Sequence, residues 1–200
     1  MTSRLPRFAN VLIVTLACLT AAACQLKRPE TIPVRTIEPQ MAEPAAAGPK
    51  APNAVPVRLL DTQRRGHIGH ALLHQRPDGE VVEDPAWRWS AAPDRYLDTA
   101  LRYEISAAPG LRPVDSGTAQ AVAVTLLSWH LESAGASRLV GAVQLDVTGT
   151  DRAIRTQVIR ASEAVSAELP GDLAAAAGRL LRRLASDVAG RIPGPPHASR

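Results

Sequence analysis

The sequence predicts an α+β fold: a mostly antiparallel sheet with two helices packed on one face. Two observations carry that prediction. Segments opening at Pro93 and just after Pro170 repeat apolar residues at three- and four-residue spacing, as helices do, whereas 119–165 between them is rich in β-prone and alternating residues. The resulting order of strand, hairpin, helix, three strands and helix keeps strands and helices in separate runs, which is the α+β pattern.

Val55 to Leu60, VPVRLL, reads as the first strand, and Gly66 to Gln75, GHIGHALLHQ, as the second. Arg76, Pro77, Asp78 and Gly79 then form a turn, with Asp78-Gly79 a strong hairpin signal. The chain returns through Val81 and Val82 toward Trp87 and Trp89, which lie two apart and so share one strand face. Pro93 suits the first turn of a helix, and Asp94 sets a carboxylate near its N-terminus. Leu97, Ala100, Leu101 and Ile105 make its apolar face, and Pro109-Gly110 ends it.

Ala119 to Leu126 is mostly apolar at both parities, as expected of a strand covered on both faces. From Leu127 the pattern changes, with Leu127, Trp129 and Leu131 alternating against Ser128, His130 and Glu132. Leu139 to Thr148 alternates more cleanly, with Leu139, Val143, Leu145 and Val147 on one side. Ala153 to Val165 fits two periods: Ile154, Val158, Ala161 and Val165 would line a helix face, yet the β-branched pair and the short preceding turn favour a third meander strand. A strand is the reading adopted. Leu173, Ala177, Leu180, Leu181, Leu184 and Val188 then form the stripe of the second helix, stopped by Gly190 and Pro193.

Ahead of this domain, Phe8 to Cys24 follows Arg4 and Arg7 as an apolar run ending in Ala21, Ala22 and Ala23. It has the make-up of an export leader and falls short of the roughly 20 apolar residues of a spanning helix. A cysteine after small residues resembles the lipobox of bacterial lipoproteins, which makes Cys24 the expected acylated first residue of the mature chain. Ala21 stands where a lipobox usually has leucine, so plain cleavage before Cys24 is the alternative, and Cys18 is a weaker lipid site. The organisation expected is a signal peptide over 1–23, a lipid-anchored Pro/Ala-rich linker over 24–54, a folded domain over 55–192 and a tail over 193–200. Six prolines from Pro29 to Pro52 mark the linker as extended, able to hold the domain up to about 90 Å from its anchor.

The formal charge of +4 falls to +2 once Arg4 and Arg7 leave with the leader, too little to drive nucleic-acid binding. Both cysteines, Cys18 and Cys24, lie at the leader, so the domain has no disulfide and no thiolate metal site. His67, His70 and His74 invite a metal reading. Gly66 and Gly69 disfavour the helix that would align them, and a strand turns His67 away from the other two, so solvated histidines are expected. No nucleophile elbow, GxGxxG or phosphate loop occurs, so neither catalysis nor a cofactor is expected. Trp87, Trp89, Tyr96 and Trp129 fit a core more readily than a groove for lipid or a partner.

The leader, the linker, the closing helix after a three-strand meander, and the pattern of Trp87, Arg88, Trp89, Pro93, Leu97 and Leu101 together resemble the ABC-type transport auxiliary lipoprotein family. That resemblance implies an outer-membrane-anchored periplasmic accessory of an ABC/MCE-type system moving phospholipid or other hydrophobic compounds between membranes. It further implies action by docking, with an MCE-domain protein and an ABC permease and ATPase as partners and a homo-oligomer as an option. A lipid-binding carrier and a structural envelope lipoprotein are the alternatives.

Overall fold

The computed structural model describes residues 32–41, 48–133, 135–167 and 169–194. The chain divides into two units, Met1–Pro33 and Val34–Arg200, and the fold is that of the second. It runs β1 (Arg35–Ile37), β2 (Val55–Leu59), β3 (Gln63–Arg64), β4 (Ala71–Gln75), β5 (Val81–Trp89), α1 (Pro93–Ala107), β6 (Leu111–Pro113), β7 (Gln120–Glu132), β8 (Arg138–Thr148), β9 (Ile154–Ala164) and α2 (Pro170–Arg191). The architecture is α+β, as the residue pattern predicts, and 153–165 is a strand.

The long strand β7 organises the sheet. Along one side it pairs antiparallel with β8, Ala121 opposite Thr148 through to Glu132 opposite Arg138. Along the other it receives three short parallel strands in succession, β2, β3 and β4. One path across the sheet therefore reads β1, β5, β4, β7, β8, β9. Parallel pieces of two to five residues leave no periodicity to read, which is why β1, β3 and β6 go unseen in the sequence. The expected second strand also starts later, at Ala71, because Ile68 N–H bonds Arg65 O in a turn.

A bulge sets which side chains of β7 meet the helices. Leu126 lies opposite Val143 and Ser128 opposite Ala142, so Leu127 is the extra residue. One inserted residue reverses the alternation. Val122, Val124 and Leu126 are buried before it, and Trp129 and Leu131 after it, all in one core. The sequence reading placed Leu127 with Trp129 and Leu131; it is half-buried instead.

Helix α1 has proline at its start and Asp94 in its first turn, and buries Leu97, Ala100, Leu101 and Ile105. Helix α2 buries its small and leucine stripe against β8, β9 and α1. Gly141 of β8 makes room for that contact: a β-carbon there would stand 2.9 Å from Leu184 Cδ1 and 3.3 Å from Trp129 Cε3.

One boundary needs correction. Residues 34–41 were assigned to the free linker, yet β1 pairs parallel with β5, and Ile37 is 1% exposed. Beyond it Gln40 N–H bonds Ala174 O at 2.9 Å, and Gln40 O lies so close to Gly178 that no side chain fits there. Proline density hid this strap, because Pro33 and Pro39 flank a β-prone Val-Arg-Thr-Ile stretch without interrupting it. Residues 1–31 and 42–47, and with them the leader, Cys24 and part of the linker, lie outside the described residues.

Candidate docking edge

The aromatic residues singled out in the sequence are structural. Trp89 and Trp129 are 2% and 1% exposed and meet edge to face, centroids 5.8 Å apart at 68°. Such a pair adds about 0.5–1.5 kcal/mol beyond its buried area. Neither indole can face lipid or a partner. Trp87 is half-buried at the strap, with the Arg35 guanidinium 5.3 Å over its ring.

The histidines are not brought together. His74 Nε2 lies 2.9 Å from Asp84 Oδ2, His70 Nδ1 lies 3.3 Å from Trp89 O, and His67 is exposed. Among the described residues no three His, Cys, Asp or Glu side chains converge on a metal site. Burial alone would raise the Asp84 pKa. Hydrogen bonds from the Ala86 and Trp87 N–H groups and from His74 outweigh burial and hold the carboxyl below its usual range. Asp98 behaves alike: burial opposes, but Arg102 and Thr62 prevail and lower its pKa. These carboxylates fasten loops and ladders.

The surface without a structural explanation is the outer edge of β9. All eleven residues of that strand pair with β8, and among the described residues it has no second strand partner. Its opposite row of backbone donors and acceptors is open, a template for another strand. Ile154 and Val158 stand 67% and 51% exposed on it, while Ile159 and Ala161 of the other parity are buried against the helix layer. Proteins usually blunt such an edge with charged side chains, proline or brevity, and of these β9 has only the exposed charges of Arg155 and Arg160.

Its own unpaired charges are positive, and the neighbouring carboxylates include Asp146, which accepts from Thr156 Oγ1 at 2.6 Å, and Asp151, which shares a depression with Arg155. Arg155 and Arg160 are exposed, and neither makes an ion pair among the described residues. The one acid of the strand, Glu163, is taken by Arg179 at 3.2 Å and Arg183 at 3.7 Å. At the Arg160 end a shallow depression of about 420 Å³ gathers Arg138, Arg160 and Arg183 around Ser162, with Glu132 on its rim. Arg138 spends its bond there on a neutral acceptor, Ser162 Oγ at 2.7 Å. A strand edge rimmed by guanidinium groups can hold an extended, anionic backbone by hydrogen bond and charge together.

Sequence reasoning named Ile154 and Val158 only as candidate core positions and did not name Arg155 or Arg160. A signal was present: Ile154, Val158 and Ile159 put apolar side chains on both parities of the last meander strand, more than one helix layer can cover.

No family model matches the chain, and no curated protein matches it. Solved structures do match its fold. One is a Xanthomonas campestris protein of the DUF330 family, at 12% identity and a TM-score of 0.61, covering 78% of this chain and 92% of that one. A second, an uncharacterized protein, aligns at 13% identity and 0.61 over 80% and 99%. A hypothetical protein from Chlamydia trachomatis aligns at 10% and 0.53 over 69% and 95%. At these identities the likeness is one of fold.

Proposed function

We propose that this protein is a lipid-anchored envelope lipoprotein that works by docking, as the periplasmic accessory of an ABC/MCE-type system moving phospholipid or other hydrophobic compounds between membranes. The observation that carries the docking part is β9: eleven residues of open strand edge with exposed isoleucine and valine. The envelope part rests on the leader and the cysteine that closes it, and the transport part on the family resemblance of the sequence. No helix of the described residues is long and apolar enough to cross a membrane. The attachment proposed is through acyl chains on Cys24. Catalysis has no part in this reading, and an outer-membrane site on the periplasmic face follows from the lipoprotein type proposed.

Two measurements test the proposal separately. Cys24→Ala is expected to move the protein from the membrane to the soluble periplasmic fraction, and an unchanged membrane pool rejects the anchor. A photo-cross-linking residue at Thr156 is expected to capture an MCE-domain protein or the permease in cells. Adducts with neither, from protein that is exported and folded, reject the transport role.

A further inference from the structure

We propose that β9 accepts an extended acidic segment of a partner protein as an added antiparallel strand. The segment sets an acidic side chain opposite Arg160, an apolar one opposite Val158, an acidic one opposite Arg155 and an apolar one opposite Ile154. This inference rests on the docking reading and specifies what docks.

The placement follows from parity. Ile154, Val158 and Arg160 project to one face of the sheet and Arg155 to the other. Directly opposite side chains of an antiparallel pair share a face, so each residue of β9 selects the chemistry of one partner residue. Read from its own N-terminus, the partner carries acidic–x–apolar–x–x–acidic–apolar. Arg155 is open to receive its acid, since 154–158 are exposed at both parities. Before the first acid of the motif, Arg138 extends the positive rim past Ser162, where Glu132 shares the depression and Arg183 is paired with Glu163.

Two other occupants fit less well. A second copy would bring its own Arg155 and Arg160 to the same edge, and Glu163 is already shared by two arginines. A lipid surface satisfies charge and apolar contact, yet supplies no backbone to pair with the open row of N–H and C=O groups.

The test uses the full chain purified in detergent and a fluorescent peptide, Thr-Glu-Thr-Val-Thr-Thr-Glu-Val-Thr. Anisotropy is expected to show saturable binding. Affinity should fall about tenfold or more when lysine replaces the glutamate opposite Arg160 or when the protein carries Arg160→Glu, and the two changes together should restore it. Arg160 is exposed, so the variant is expected to fold, and circular dichroism checks this. N-methylation of the peptide on alternate backbone nitrogens facing β9 is expected to abolish binding, which charge attraction alone would not. Equal binding of the N-methylated peptide, or no loss with Arg160→Glu, overturns the proposal. So does an Arg160-dependent dimer by light scattering without peptide binding, which assigns the edge to a second copy. Arg160-dependent binding to phosphatidylglycerol vesicles without peptide binding assigns it to the membrane. Peptide binding that persists while cells yield no transporter adduct breaks the transport reading and leaves strand addition standing.

Discussion

The sheet ends differently on its two sides. Past β5 it is closed by a strap of three paired residues that buries Ile37 and lays Arg35 over Trp87. Past β8 it ends in β9, more than three times as long and uncovered among the described residues. A short strand flanked by prolines is a terminus that protects; a long one without them invites a partner. The contrast teaches that the fold can blunt an edge, so the open edge at β9 is the better place to look for function.

Placing the same charge on each edge breaks or upholds that contrast most sharply. Ile37→Asp is expected to destabilise by about 4 kcal/mol, the scale of an uncompensated buried charge, whereas Val158→Asp should stay within about 0.5 kcal/mol. Urea midpoints measure both, and equal losses would mean that β9 is covered. Next in size is Gly178→Ala, whose β-carbon would collide with Gln40 O. The strap must lift, forfeiting about 2–3 kcal/mol of Ile37 burial. Faster tryptic cleavage after Arg35 reports the lifting directly. Smaller again is Gly141→Ala, about 1–3 kcal/mol of overpacking against Leu184 and Trp129, which lowers stability without freeing the strap.

Much of the fold could be read from the residues because it repeats itself. The stripes of α1 and α2 and the alternation of β8 are long enough for their periods to declare both type and buried face. What could not be read was what depends on a partner far along the chain. The strap is a strand only because β5 lies beside it and β3 only because β7 does, while β2 and β4, legible as strands, do not show in their own residues that they run parallel to β7. The bulge at Leu127 is likewise a property of two strands together. The candidate site escaped for the opposite reason: Ile154 and Val158 obey the strand rule, and only the finding that nothing among the described residues covers them gives them meaning.

Acid should separate the two ends with the smallest effect of the series. Asp84 lies in β5, next to the strap, and Asp98 in α1 anchors Thr62; both have depressed pKa values. A carboxyl whose pKa is lower folded than unfolded stabilises the protein fully above the unfolded value, about 4. That contribution is lost as pH falls through the lower folded value. Protonating Asp84 weakens its hold on the Ala86 and Trp87 N–H groups and on His74, the turn that sets β5 against β1. Hydrogen exchange, corrected for intrinsic rates, should therefore show protection falling below about pH 4 in 84–89 and 35–37 before it falls in β8. Asp84→Asn cannot ionise, so it should flatten that pH dependence while lowering protection at neutral pH. Loss beginning instead between β8 and β9 would show the open edge to be the weaker end, and the strap would then not owe its acid response to Asp84.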